Sequence, residues 1–241
     1  PTLEGCFSAD GYSHDAMCFV YKGADVEHLG KQICIGFNEN TFTVVDMSNK
    51  NKPVELSKAG YEHVSYTHQG WMTDDHRFLL LNDELDEQNE SVSTSTYLFD
   101  LADLDNPIYL NTHFGNSVSI DHNLYVKGNY AYEANYAEGL RIKDMSDIAN
   151  GNLTEVAYMD FFPANNNADF MSVWSSYPYF KSGNIPVSDF EEGLYIVQLQ
   201  LPHFVVELND GAGLQKICAG EDAVFEIDLT AYAGFSNTVN L

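Results

Sequence analysis

Along most of this chain, apolar and polar residues alternate in short runs, too short for helices and suited to half-buried strands. The clearest stretch holds NLYV (123–126), YAYEANY (130–136), GLRIKDM (139–145) and LTEVAYMDFF (153–162). Lys127-Gly128-Asn129 separates the first two, a hairpin turn in which glycine takes a positive φ. Two earlier stretches read the same way. The first is HDAMCFVY (14–21), QICIGF (32–37), TFTVVDM (41–47) and PVELS (53–57). The second is HQGWM (68–72), RFLLLND (77–83), STYLFDL (95–101) and PIYLNTHF (107–114). Proline opens the last strand of both, a position that suits an edge strand lacking one N–H donor. No segment carries a useful helical period.

These stretches recur with a period of 54 residues. His14, His68 and His122 keep that spacing, as do Asp46 and Asp100, Pro53 and Pro107, and Lys127 and Lys181. YAEGLRI (136–142) returns at the same offset as FEEGLYI (190–196). Four-stranded units in series predict an all-β chain folded as a β-propeller, the first strand of each blade lining a central channel. The blades are expected at 14–67, 68–121 and 122–175, with a three-stranded fourth at 176–200. Residues 1–13 read as an isolated outer strand of a preceding blade. On that reading, 1–200 are either the C-terminal blades of a larger propeller or a four-bladed ring closed by residues 1–7. The alternation in AVFEIDL (223–229) makes 201–241 resemble the start of an immunoglobulin-like β-sandwich module, too short to complete one.

Several long motifs occur in order: GYSHDAMCFVY, QICIGFNENT, YTHQGWMTDDHRFLLLNDELDEQ, SIDHNLYVKGNYAYEANYAEGLRIKDMSDI and VWSSYPYFKSG. Together they resemble the choice-of-anchor B family of LVIVD-repeat proteins, over about residues 1–200. The resemblance implies a β-propeller of the bacterial surface or secreted type. It also implies further blades before Pro1, and it supplies no catalytic residues.

Charge narrows the partners. Asp and Glu number 36 against 11 Lys and Arg, a formal net charge of −25. Phosphate backbones and anionic membranes both need clustered basic residues, so nucleic acid is excluded as a partner. No apolar run approaches the ~20 residues of a membrane span, so direct membrane insertion is excluded as well. The chain opens on Pro1, as a processed precursor or a cut segment would. Cys18 and Cys34 flank a short loop and are placed to form a disulfide, which would point to an oxidising compartment. Reduced thiols are the alternative. Cys6 and Cys218 have no evident partner.

Three constellations carry candidate chemistry. The first is His14, His68 and His122, one at the start of each first strand. Imidazoles converging on one axis suit a transition-metal ion, with Asp15, Gln69, Asn123 and Asp121 placed to orient the rings. The repeat alone could also produce this pattern, each ring ordering its own strand. Ser176 at the fourth equivalent position breaks the symmetry. The second is the acidic loop bearing Asp83, Glu84, Asp86 and Glu87, whose crowded carboxylates suit Ca2+ although no EF-hand glycine is present. Glu39, Glu84 and Glu133 follow the second strands and form a candidate cation-binding rim. The third is a surplus of Tyr, Phe and Trp, most of it blade packing, with an exposed subset suited to gripping a partner.

The expected function is a secreted or cell-surface binding or assembly module, with Ca2+ favoured over a transition metal as its ion. Its partner would be a protein, an extracellular polymer or a second copy of itself. The alternatives are a metal-dependent hydrolase or oxidoreductase using the channel histidines, and an accessory domain of a larger secreted enzyme. No nucleophile elbow, zinc-protease helix or nucleotide-binding loop is present to support catalysis.

Overall fold

The computed structural model describes residues 1–201, 204–208 and 227–231. The chain divides into two compact units, Pro1–Leu199 and Gln200–Leu241. The first is built from four antiparallel sheets, each in sequence order. Blade 1 contains β1 (Asp15–Val20), β2 (Gln32–Phe37), β3 (Phe42–Asp46) and β4 (Val54–Ala59). Blade 2 contains β5 (Thr67–Met72), β6 (Phe78–Asp83), β7 (Ser95–Asp100) and β8 (Ile108–Phe114). Blade 3 contains β9 (Leu124–Lys127), β10 (Tyr130–Ala134), β11 (Leu140–Asp144) and β12 (Thr154–Met159). Blade 4 has three strands among the described residues: β13 (Val173–Ser176), β14 (Asn184–Asp189) and β15 (Gly193–Gln198). The first strands β1, β5, β9 and β13 meet one another in sequence order, the relation of propeller blades around a hub.

Blade 2 shows why one strand is continuously apolar while others alternate. Leu79 and Leu81 of β6 pack with Ile33, Ile35, Phe37 and Phe42 of blade 1. Phe78 and Leu80, on the opposite face of the same strand, pack with Leu124, Val126 and Ala131 of blade 3. A strand sandwiched between two blades buries both faces, so FLLL reads as an unbroken run. A third core joins blades 3 and 4 through Tyr132, Ile142, Val173, Ile185 and Val187. The same register shift recurs between the third and fourth strands of blades 1, 2 and 3, at Val44/Val45, Leu98/Phe99 and Ile142/Lys143. Gly128 opens the two-residue turn between β9 and β10 with φ 60°, as a hairpin turn of that length requires.

Gly70 of β5 lies where the Phe37 ring of blade 1 packs closely on blade 2. A Cβ there would lie 2.7 Å from both the Leu80 carbonyl oxygen and the Phe37 ring. Gly70→Ala is expected to cost about 1–3 kcal/mol through overpacking, measured by urea denaturation.

Several expectations change. Residues 1–13 form no strand within this chain and do not pair with blade 4. This Gly-, Ser- and Asp-bearing segment has weak strand propensity and is ordered by side chains instead. Asp10 accepts hydrogen bonds from Asn38, Thr41 and Thr43 and pairs with Lys58. The sheet of blade 4 begins at Val173, so strand pairing moves its start ahead of 176. The acidic loop contains one turn of helix, α1 (Asp86–Asn89). In the second unit, β16 (Phe204–Leu208) pairs antiparallel with β17 (Ile227–Ala231). The rest of the proposed sandwich module, Cys218 included, lies outside the described residues.

Cys18 and Cys34 face each other across β1 and β2 and form a disulfide. Cys6 is exposed and has no disulfide partner among the described residues. Because β1 is largely exposed along its length, the cross-link ties a weakly covered strand to the core. Cys18→Ala/Cys34→Ala is expected to lower stability by about 3 kcal/mol, the loop-closure value for a loop of this size, read as a shift in the urea midpoint.

Candidate functional site

The start of β5 carries His68 at a bulge, between the pairs Thr67↔Asp83 and Gln69↔Asn82. The bulge turns that side chain toward the hub. His122 precedes β9, and Glu84 follows β6. His68 and His122 lie with ring centroids 4.3 Å apart. Glu84 sits between them, Oε2 3.6 Å from His68 Nε2 and Oε1 3.4 Å from His122 Nε2. The Tyr136 hydroxyl donates to Glu84 Oε1 at 2.6 Å. His122 Nδ1 donates to the Trp174 carbonyl at 2.7 Å, and Asn123 Nδ2 donates to the same oxygen at 3.0 Å. His68 Nδ1 and His122 Nε2 are buried without a hydrogen-bond partner among the described residues.

Burial holds both imidazoles in the neutral form. It pulls His68 down to about 2, helped by His122 and His14, and His122 down to about 4. Burial also raises the Glu84 carboxyl. His14 stands at the exposed edge, its ring 4.5 Å from that of His68. Its Nδ1 lies 3.1 Å from the Tyr66 hydroxyl. The period therefore places three histidines in a row, and the close donor set is His68, His122 and Glu84.

The acidic loop divides among three tasks. Asp83 accepts from the backbone N–H groups of Ser65, Tyr66 and Leu85 and from the Tyr61 hydroxyl. Its oxygens are taken, and it works as a turn anchor. Glu84 joins the histidines. Asp86 and Glu87 meet Asp121, which precedes His122. In this second cluster each carboxylate has one oxygen anchored. Asp86 accepts from Tyr97 Oη at 2.6 Å, Asp121 from the Ser95 N–H at 2.9 Å, and Glu87 from the Asp121 N–H at 3.1 Å. The other oxygens, Asp86 Oδ1, Glu87 Oε2 and Asp121 Oδ1, are buried and without a hydrogen-bond partner among the described residues. Asp86 and Asp121 are 0 % exposed and Glu87 6 %. Burial pushes all three carboxyls up, and their mutual repulsion pushes Glu87 and Asp121 further.

Two equivalences read from the period are corrected by strand pairing. Glu133 does not reach the rim. It lies within β10, fully buried against Lys143, with Nζ 2.6 Å from Oε2. Tyr136 takes the place of Glu39: both have positive φ, and both bridge to the first strand of the next blade, at Val173 and Thr67. Glu39 itself is exposed on that bridge. Likewise Trp174, the bulged residue of β13, is the counterpart of His68, and Ser176 is not. The sequence placed Asp121 beside the histidines, but its side chain turns to the carboxylate cluster. Tyr136 and Trp174 were missed as histidine neighbours, although Tyr136 opens the repeat YAEG/FEEG. His28 also lies between Asp25 and Asp105, but its Nε2 is bonded to Asp105 at 2.6 Å and Lys31 Nζ lies 3.0 Å from Nδ1. That group is satisfied.

The fold and site define a nearly all-β, propeller-like array of four-stranded antiparallel sheets. Two segments, residues 22–59 and 122–158, match the LVIVD repeat. They fall in blades 1 and 3, so the chain carries LVIVD repeats. No curated protein matches it. Among solved structures, a protein from Lactobacillus plantarum is similar at 14% identity and TM-score 0.50, over 83% of this chain and 68% of that one. The computationally designed Ika4 protein aligns at 13% identity and TM-score 0.48, over 83% of this chain and 96% of that one. Among the described residues, no helix is long and apolar enough to cross a membrane.

Proposed function

We propose that this chain is a propeller binding module that works outside the cell, at a bacterial surface or in secreted form, with Ca2+ held by Asp86, Glu87 and Asp121. The buried carboxylate cluster carries the reading. Three acids with one anchored and one unpartnered oxygen each, all within 4.8 Å of one another, cannot stay ionised in a dry interior without a cation or protons. Hard oxygen donors at that spacing suit Ca2+, whose bonds run 2.3–2.6 Å. The cluster ties α1 and β7 of blade 2 to the entry of blade 3, so the ion would fix one blade against the next.

The exterior setting is supported by the Cys18–Cys34 disulfide and by the net charge of −25, which calcium and salt screen. Membership of the choice-of-anchor B family of surface and secreted proteins belongs to the same reading. Phe170, Trp174, Tyr177, Phe180 and Phe190 stand exposed on and around blade 4. They offer a surface for a protein, an extracellular polymer or a second copy of the chain. Isothermal titration with CaCl2 tests the ion. One equivalent should bind, with the sub-millimolar to millimolar affinity of extracellular modules, and Asp121→Asn should abolish it. No heat at 10-fold excess over that range, or unchanged binding in the variant, overturns the calcium assignment.

A further inference from the structure

We infer that His68, His122 and Glu84 form a second, separate site for a divalent transition-metal ion, of which Zn2+ is the type, at the hub end of blades 2 and 3. Donor type separates it from the carboxylate cluster, because two imidazoles favour a borderline-soft ion over Ca2+. Three features of the geometry point to a ligand. His122 Nδ1 faces a carbonyl oxygen, which can only accept, so Nδ1 carries the ring proton and Nε2 presents a bare lone pair. That lone pair faces Glu84 Oε1 at 3.4 Å, in a residue 1 % exposed. A lone pair turned on a carboxylate is repulsive unless a cation stands between them.

The second feature is spacing. Nitrogen and oxygen bonds to Zn2+ run about 2.0–2.2 Å, which makes the edge of a tetrahedral site about 3.4 Å. Each ring faces its own Glu84 oxygen, His68 Nε2 at 3.6 Å from Oε2 and His122 Nε2 at 3.4 Å from Oε1. Both gaps are longer than hydrogen bonds and close to that edge, which fits an ion that both rings reach and that the carboxylate meets with its two oxygens. The third is support around the donors. The Trp174 carbonyl orients His122, and the Tyr136 hydroxyl holds Glu84, the outer-shell partners that metal ligands usually have. Two histidines and a glutamate leave room on the ion for water or an exogenous donor; the His14 ring lies next to His68, with Tyr66 beside it.

The test uses the full chain, stripped with EDTA and dialysed against Co2+ and Zn2+ in excess CaCl2. Expected are one equivalent of Zn2+ that calcium does not displace, and visible d–d absorption of tetrahedral Co2+. His68→Gln and His122→Gln, which keep polar side chains of similar size, should each weaken Zn2+ binding at least 100-fold. His14→Ala should change it less than 10-fold. Asp121→Asn should leave it in place, which separates this site from the calcium reading. The alternative is a second proton on His122, paired with Glu84. In that case no stoichiometric zinc binds, and the two-dimensional 15N–1H spectrum of His122 shows an imidazolium indifferent to Zn2+. That outcome overturns the inference, as does zinc binding that survives both histidine substitutions. If a variant fails to fold, the histidine spectrum of the parent chain with and without Zn2+ decides.

Discussion

Lys143→Met is expected to destabilise the propeller by about 3–5 kcal/mol, the cost of leaving one partner of a buried ion pair alone. Lys143 and Glu133 have side chains 3 % and 1 % exposed, on adjacent strands of blade 3. Thr96 of blade 2 completes the group: its hydroxyl donates to Glu133 at 3.1 Å and accepts from Lys143 at 3.0 Å. Removing the ammonium strands a carboxylate that water cannot reach, and the loss falls where two blades meet. The double variant Lys143→Met/Glu133→Gln should recover most of the loss, because no unpaired charge remains and the amide can still bond Thr96. Urea unfolding of the three proteins measures both terms. A single variant within about 1 kcal/mol of the parent, or a double variant no better than the single, would contradict this account.

Removing calcium should destabilise the folded chain, by an amount that grows as pH rises. At free Ca2+ a hundred times Kd, binding to the folded state alone stabilises by about 2.7 kcal/mol. In EGTA the cluster must hold protons instead. Asp86, Glu87 and Asp121 have raised values when folded, while the unfolded chain ionises them near pH 4. Above that pH the folded state binds more protons than the unfolded one, so stability falls as pH rises, by up to about 1.4 kcal/mol per unit for each proton retained. The histidines act in the opposite sense. Their folded values lie below the ordinary one, so their contribution is complete above about pH 6.5 and is lost on acidification. Thermal melts between pH 7 and 9 therefore isolate the carboxylates. The midpoint should fall across that window in EGTA and hold or rise in CaCl2, where each deprotonation strengthens the site. A flat profile in EGTA would mean that the three carboxyls do not share this burial.

Much of the architecture was legible because blades repeat. His68 and His122 report a position that recurs from blade to blade, while the FLLL run reports a strand buried on both faces and Gly128 a tight turn. The corrections come from counting residues instead of pairing strands. The bulges at His68 and Trp174 occupy the same place in β5 and β13, yet these residues lie two short of two full periods apart, so the counterpart of His68 falls ahead of Ser176. Glu133 was misplaced for a related reason: alternation shows that a residue lies in a strand, while the choice between rim and interior depends on Lys143 arriving from the next strand. The splitting of the acidic loop was not legible at all. Asp83 and Glu84 are adjacent in sequence and diverge in space because β6 ends between them, and Asp121 joins Asp86 and Glu87 only through the folded connection from blade 2 to blade 3.

The substitution of tryptophan for histidine at the hub end of blade 4 equips the chain with its own optical reporter. It has two indoles. Trp71 is edge-on to Tyr125 at 4.9 Å, three residues along β5 from His68. Trp174 lies 4.4 Å from the His122 ring and is 43 % exposed. An open-shell ion such as Cu2+ on His122 would quench the emission of Trp174 more strongly than that of Trp71, so the fluorescence spectrum of the unlabelled protein can follow what the hub holds as it happens.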